Sequence, residues 1–567
     1  MVDSNHSADS FVFKADRPWP NRRLKIAAIV GHATSVSVRL WLRTASSGEF
    51  SLILYRNNTG LDNPLENERA LRSKLRSVPL LRSELEDQLT VEQWLDFKVE
   101  NYDTDTTHVL ELQELTPDTR YGYLLYHRTD HRVMLGHDRL RVFRTPPYED
   151  EQRAFQFAMF SCNMPYAVHG LFNKRTEVSN MDMWDFLSAT LDRHNNEVDL
   201  ILAGGDQCYT DGVDTLDIWK HLNRSMRKEE GRLLPDESAM LTWYRDIYRG
   251  YWGFDTLQSV FSGFPTYMIW DDHEIVDGWG SHYFAPGEAR DGLKRILPDL
   301  EERGLTYEDG RILVQRMFNS AQQSYMEYQH SHNPPTNESV FDYSFRRGGC
   351  AFYVLDGRGQ RDLSREDFRI LGREQFERFA AWLRVQNPTE TPVVFVVSAV
   401  PVLHTRAALV ASDELLGGLG DDLRDSWEHE LHTVERKALM EALFDAAKRG
   451  IKVSILSGDV HVSAVFAIKD DEGNQIHQLT SSAITYGLSL PQSWILRAGA
   501  ADRGTTEEGY KFERLALFTQ SSYALVSVDP KQGEVWYKLY GDQQLKSSDV
   551  DGSAVPLSHS LAKIRLF

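Results

Sequence analysis

Several apolar runs in this chain stop abruptly in residues able to do chemistry. The densest is Tyr267-Met268-Ile269-Trp270, followed at once by Asp271-Asp272-His273-Glu274 and shortly after by Asp277. Four ionisable side chains in a row do not fit an apolar core, because burying unpaired charge costs several kcal/mol or forces neutralisation. They must face water, one another or a cation. The same pattern recurs along the sequence. Phe155 to Phe160 ends at Ser161-Cys162-Asn163, and Asp199 to Ala203 ends at Gly204-Gly205-Asp206-Gln207-Cys208-Tyr209. Phe352 to Leu355 ends at Asp356, with Arg358 and Arg361 behind it. Val393 to Val400 ends at Pro401 with His404 further on, and Ile451 to Leu456 ends at Ser457-Gly458-Asp459-Val460-His461.

Open α/β sheets bind ligands outside the carboxyl ends of their strands. Gathered on such an edge, Cys162, Asp206, Tyr209, Asp272, His273, Asp459 and His461 offer carboxylates, a phenol, a thiol and imidazoles. That set suits iron(III) beside a divalent ion. Two metals roughly 3.5–4 Å apart can share a carboxylate, acidify a bridging water and clamp a phosphoryl group. The glycines before Asp206 and Asp459 let the backbone turn sharply as it leaves the strand. Each residue also has a structural alternative: Cys162 as a small buried hydrophobe, His461 as a hydrogen-bonded histidine, Tyr209 as a core aromatic, the DDHE block as a solvated acidic turn. It is the repetition over separate strand ends that favours a shared site.

The elements that must position these residues follow from periodicity. Residues from about 24 to 145 read as β, with Val36, Val38, Leu40 and Leu42 alternating with polar or aromatic neighbours. Leu115-Thr116-Pro117-Asp118-Thr119-Arg120-Tyr121 resembles the tyrosine-corner turn of immunoglobulin-like and fibronectin-like sandwiches. The charged segment 60–95 reads as a solvated insertion, and Pro146-Pro147 with the acidic residues after it as a linker. From 155 onward strand-like runs alternate with helical stripes, the pattern of a sheet with crossover helices. The stripes Phe376, Phe379, Ala380, Leu383 and Leu439, Ala442, Leu443, Ala446 are assigned to core packing, with Gly450 at a helix C-terminus. The aromatic-rich stretch 213–260 reads as a helical excursion over the sheet edge. Tyr523 to Val528 and Val535 to Tyr540 are expected to form a second sheet layered on the first. Gly417-Gly418-Leu419-Gly420 follows no clear strand and is read as a loop.

At 567 residues the chain calls for more than one core, and its net charge of −20 argues against nucleic acid or an anionic membrane as the main partner. Three cysteines give no disulfide framework, and no run approaches the length of a membrane span. Arg22-Arg23 before a short apolar run lacks an evident cleavage site and is read as leading into a first strand. A cytoplasmic protein is expected, with export left open.

The order Ser161-Cys162, Gly205-Asp206-Gln207-Cys208-Tyr209, Trp270-Asp271-Asp272-His273-Glu274 and Gly458-Asp459-Val460-His461 resembles the alkaline phosphatase D (PhoD-like) family of the calcineurin-like phosphoesterase group. Tyr244-Arg245, Leu355-Asp356-Gly357-Arg358 with Arg361, Leu371-Gly372 with Gln375, and Asp425-Ser426-Trp427 with Arg436 fall in the family's order too. The resemblance covers most of residues 25–545. It implies a four-layer α-β-β-α metallophosphatase sandwich of mixed α/β class over residues 148–545, led by an immunoglobulin/fibronectin-like β-sandwich over 24–147. An N-terminal extension, 1–23, and a C-terminal tail, 546–567, would flank them.

The resemblance also implies roles. Asp206 would bridge two metals, and Tyr209 would bind iron(III). Cys162 would stand where the wider group carries its first metal-binding Asp, and Asp272 where that group has Asn. Asp459 and His461 would complete the shells, with Ca²⁺, Mn²⁺ or Zn²⁺ as the second ion. His273 would be the general acid, oriented by Glu274. Arg358 and Arg361 are candidates for phosphate contacts or for support of the site, with a plain ion-pair role as the alternative. The wider group's additional metal-binding histidine has His404 as its nearest candidate. The expected function is a dinuclear phosphoesterase acting on small-molecule or lipid phosphate esters, in which a metal-bound hydroxide attacks phosphorus. A phosphodiesterase or phospholipase-like enzyme is the runner-up, and a non-catalytic scaffold the reading from another class.

Overall fold

The computed structural model of this chain describes residues 19–56, 64–100, 104–169, 175–213, 217–218, 237–281, 305–336, 340–405, 424–487, 498–541 and 559–567. Its layering is dictated by strands that are apolar on both faces, which must be covered on both. In the Val393–Val397 strand, Val393, Phe395 and Val397 enter one core while Val394 and Val396 enter another. The Cys350–Val354 strand divides the same way, with Cys350, Phe352 and Val354 opposite Ala351 and Tyr353. The first core lies between two sheets. Phe157 of one meets Phe352 and Phe395 of the other, ring centroids 5.5 and 5.1 Å away.

One sheet has six strands in the order Thr266–Ile269, Val198–Gly204, Phe155–Phe160, Ser522–Asp529, Glu534–Gly541, His559–Arg565. The other has eight, and its Cys350–Val354, Val393–Val397, Lys452–Ser457 and Gln475–Thr480 strands run parallel. Helices Arg373–Arg384 and Thr433–Lys448 cover the outer face of the eight-stranded sheet with Phe379, Leu383, Leu439, Leu443 and Ala446. Helix Asp182–Arg193 packs on the outer face of the six-stranded sheet through Trp184, Leu187 and Leu191. Helix, sheet, sheet, helix is the expected four-layer order.

Three expectations are corrected. The strands from 522 to 541 do not found a separate sheet. Ser522–Asp529 pairs antiparallel with Phe155–Phe160, which would otherwise leave an apolar strand with an unpaired edge. The segment taken for a tail contributes the edge strand His559–Arg565. Part of the charged insertion is also a strand. Val91–Val99 pairs with Gly48–Arg56, because Leu95, Phe97 and Val99 alternate with Asp96 and Lys98. The rest of that insertion holds helices Pro64–Leu75 and Arg82–Gln88. The Gly417–Gly420 stretch and much of 213–236 lie outside the described residues.

The N-terminal strands form a three-stranded and a five-stranded sheet closed over Val30, Leu40, Leu42, Leu52, Leu54, Tyr123 and Leu125. The tyrosine corner is present: the backbone N–H of Thr116 donates to Tyr121 Oη at 2.9 Å. Ala27, Ile29 and Trp41 face the other way and join the main core. Trp41 Nε1 donates to the carbonyl of Glu327 at 2.7 Å, in helix Tyr307–Tyr328. Among the described residues no helix is long and apolar enough to cross a membrane.

Candidate metal centre

The parallel strands Phe155–Phe160, Val198–Gly204 and Thr266–Ile269 of one sheet, and Lys452–Ser457 of the other, end at one edge of the sandwich. There the backbone is bent hard. Cys162, Asp206, Asp459 and His461 all adopt left-handed φ, at 56°, 56°, 64° and 54°. For residues bearing a Cβ this conformation costs about 1–2 kcal/mol each, and such strain concentrates at functional sites. Two glycines make the crossing possible. Gly205 has φ 107°, and a Cβ there would lie 2.9 Å from Asp271 Cβ. A Cβ on Gly458 would lie 2.4 Å from Ser161 Cβ.

The bends bring side chains from distant parts of the sequence together. Three groups have ligand atoms mutually within 4.8 Å: Cys162, Asp206 and His461; Asp206, Asp272 and His273; and Asp206, Asp271, Asp272 and Asp459. Asp206 belongs to all three. Tyr209 Oη donates to Asp206 Oδ2 at 3.2 Å and lies 3.2 Å from His461 Nε2, and Cys162 Sγ is 3.4 Å from Asp206 Oδ2. All six residues expected at the metals therefore meet in one place. Asp271, which the sequence reading passed over as a donor, joins the all-carboxylate group. Its neighbours are mostly buried, while His273, Asp459, His461 and Tyr486 are half-buried and open to solvent.

The donor set fits cations on an observation internal to the site. Asp206 Oδ1, Asp271 Oδ2 and Asp272 Oδ1 are buried with no hydrogen-bond partner. Buried carboxylate oxygens are ordinarily satisfied. Electrostatics agrees. Burial, reinforced by Asp272, Asp271 and Glu274, holds the Asp206 carboxyl well above its usual range against the pull of His273. Burial, then Asp271 and Asp272, does the same to Asp459. Burial pushes Asp271 up to about 7 despite Arg358. Burial, then Asp206, raises the Cys162 thiol and the Tyr209 phenol. Burial, then His273, lowers His461 to about 3, so its ring is a neutral donor. Left to itself the cluster favours protonated acids, and a bound cation reverses that preference.

His273 sits beside this group with Nδ1 2.7 Å from Asp211 Oδ1. Burial alone would lower its pKa, but Asp211, Asp272 and Asp206 together raise it well above the usual value. The expected pairing with Glu274 is corrected. Glu274 instead accepts the backbone N–H groups of Asp206, Gln207 and Asp271 at 3.1, 2.6 and 2.8 Å, and the amide of Gln329 at 2.9 Å. It braces two strand ends. Asp211 was missed because no apolar run announces it; its spacing after Gly205-Asp206 was the available signal.

The arginines do not reach out as phosphate contacts. Arg358 is fully buried, bonded to Asp271, forked onto Asp425 (Nη2 to Oδ2 2.7 Å) and 3.5 Å from Asp272. Arg361 Nη2 donates to the Asp425 carbonyl at 2.6 Å. Both guanidinium groups are thus engaged with Asp425. His404 is buried and belongs to none of the three groups; burial, then Arg514, lowers it to about 4. Tyr486, also unforeseen, stacks on His461 with centroids 3.7 Å apart.

Two facing sheets, helices outside them and acidic residues at one strand edge define a metallophosphatase fold. The chain superposes on a structure of PhoD with a TM-score of 0.59 at 16% identity, over 93% of this chain and 87% of that one. With purple acid phosphatase PPD1 from yellow lupin (Lupinus luteus) seeds the TM-score is 0.51 at 12% identity, over 93% and 74%. At those identities the likeness is one of fold. In sequence, the model of the PhoD-like phosphatases matches residues 157–532, and the chain belongs to that family. A Saccharomyces cerevisiae protein described as Uncharacterized protein YGR266W is 24% identical over 326 residues. That match spans 47% of this chain and 44% of the yeast protein, so this chain covers under half of that relative.

Proposed function

We propose that this chain is a dinuclear metal-dependent phosphoesterase acting on small-molecule or lipid phosphate esters, monoesters and diesters alike. The observation that carries the reading is the convergence of buried carboxylate oxygens on Asp206, Asp271 and Asp272 that no hydrogen bond satisfies, Asp272 Oδ1 having only a 3.5 Å ion pair with Arg358. Cys162, Tyr209 and His461 with Asp206 would hold one cation, and the hard phenolate and carboxylate oxygens of this set suit iron(III). Asp271, Asp272 and Asp459 with Asp206 would hold a divalent ion such as Ca²⁺, Mn²⁺ or Zn²⁺. When bound, such a pair lowers the pKa of water and neutralises charge gathering on phosphoryl oxygens. The names of the two structural neighbours, PhoD and purple acid phosphatase, agree with this reading.

The protein's own part is proton delivery and placement. Asp211 engages His273 Nδ1, leaving Nε2 to carry the proton that the departing ester oxygen requires. The Asp211 carboxylate on Nδ1 favours the protonated ring. Glu274 and Arg358 take no part in bond making; they fix the backbone of Asp206 and the carboxylate of Asp271.

Protein purified without chelator is expected to contain metal and to hydrolyse a generic aryl phosphate monoester and diester at alkaline pH. Asp206→Asn should lose metal and turnover together. His273→Ala should keep the metal and lose about 10²–10⁴ in turnover. Protein that takes up no iron, manganese, calcium or zinc and hydrolyses neither ester would end this reading. Metal without turnover in the unaltered protein would favour the scaffold.

A further inference from the structure

A second place in the molecule concentrates charge of the opposite sign. In the five-stranded sheet of the N-terminal sandwich, the Arg120–His127 strand pairs with Arg141–Arg144 in a register that sets Arg120 directly opposite Arg144. Like charges directly opposite across strands are destabilising. Arg139 and Arg141 lie just before Arg144, so four arginines fall in one small region of a protein of net charge −20.

All four line a crevice of about 160 Å³ between the sandwich and the six-stranded sheet. Their engagements differ. Arg141 reaches Asp138 at 3.3 Å and the Arg139 carbonyl at 3.1 Å. Arg144 pairs with Asp118 and donates to the Asn196 carbonyl at 3.1 Å. Among the described residues, the guanidinium groups of Arg120 and Arg139 have no hydrogen-bond or ion-pair partner. Two carboxylates also line the crevice: Asp199 is bonded to Arg153, and Asp192 is exposed at the rim. Arg120 and Arg139 are exposed at the mouth of the crevice, and partial desolvation, then the charge of Arg144, lowers the Arg120 pKa.

We propose that this crevice binds a small tetrahedral oxyanion of the phosphate or sulfate class, held between Arg120 and Arg139 with Arg144 opposite. Guanidinium forks match the oxygens of such ions. The volume sets the size: 160 Å³ is about five water volumes, below the roughly 300 Å³ at which pockets take drug-sized ligands. The site is separate from the metal centre. It lies at the amino end of the Val198–Gly204 strand, lined by Val198 and Asp199, whereas Asp206 follows the carboxyl end. Seven residues of strand put about 20 Å between the two. An ion there ties the sandwich to the loop before that strand.

The test is the thermal midpoint of the full chain in rising sulfate, and separately in inorganic phosphate, against chloride at matched ionic strength. A saturating rise is expected in the unaltered protein and in Asp272→Asn. The double variant Arg120→Gln/Arg139→Gln should bind at least tenfold more weakly. In chloride alone that variant should be no less stable than the parent, because it relieves repulsion. A rise that climbs without saturating, that survives in the arginine variant, or that vanishes in Asp272→Asn alone would overturn the proposal. So would an arginine variant that is less stable in chloride.

Discussion

Asp211 and Glu274 both lie next to His273 in space, yet their hydrogen bonds give them different work. Asp211 meets the imidazole with Oδ1 and accepts one backbone N–H, that of Asp277, with Oδ2, whereas Glu274 makes no bond to the imidazole and accepts three backbone N–H groups. Asp211→Asn is therefore expected to lower turnover about 10–100-fold while metal content stays near that of the parent and stability falls less than in Glu274→Gln, since one backbone bond is weakened and not three. Glu274→Gln should do the reverse. An amide in that place turns a donor toward N–H groups and loses charge-assisted bonds, at a cost of about 1–3 kcal/mol in stability. Steady-state kinetics with metal analysis, and urea denaturation, read the two. If Glu274→Gln leaves stability unchanged but abolishes turnover, the bracing role is wrong. The sequence put His273 in the same block as the acidic residues Asp271 and Asp272 but could not choose its partner, since the choice depends on which loop folds back over it.

Among the elements, the strand-to-loop bends carry the most information. Glycine before Asp206 was legible as a need for backbone freedom, and the structure adds a second reason, the close approach of the Asp271 side chain. Gly205→Ala should cost about 1–3 kcal/mol and weaken metal binding by displacing Asp271. Gly473→Ala is the control, because φ is 89° there with nothing within 4 Å of an added Cβ. Comparing urea midpoints of the two separates backbone strain from the steric term. Equal losses would show that the Asp271 contact is unimportant. Tyr523 to Val528 was correctly a strand, but which sheet it joins depends on a pairing with Phe155–Phe160, more than 300 residues earlier, that local periodicity does not encode.

At the scale of the molecule, the contact between the N-terminal sandwich and the main sheets holds neutral histidines. Burial, then Arg347 and Arg39, lowers His32 to about 3; burial, then Arg39, lowers His330 to about 4; burial, then His330 and Arg39, lowers His332 to about 3. The unfolded chain binds protons at these rings below about pH 6.5, and the folded chain does not. Their contribution is thus complete above pH 6.5 and is lost as pH falls from there toward about 4 for His330 and about 3 for His32 and His332, with a slope on the order of 1.4 kcal/mol per pH unit for each ring. The raised carboxyls of the metal centre act in the opposite direction, so the comparison must be between variants. His330→Gln/His332→Gln is expected to flatten the fall in thermal midpoint between pH 7 and pH 5 relative to the parent, both metal-loaded. Parallel curves would refute it.

What the sequence determined by itself was the inventory: which runs are strands, which of them end in metal-competent residues, and that such endings recur too often for chance. Those are local properties, set by side-chain polarity and a two-residue period. Tertiary structure decided everything that depends on distance. It buried Arg358 and Arg361 against Asp425, gave His273 its partner in Asp211, drew Asp271 into the cluster and left His404 out. Burial and proximity fix hydrogen-bond partners and proton affinities, and neither exists until the sheets have packed.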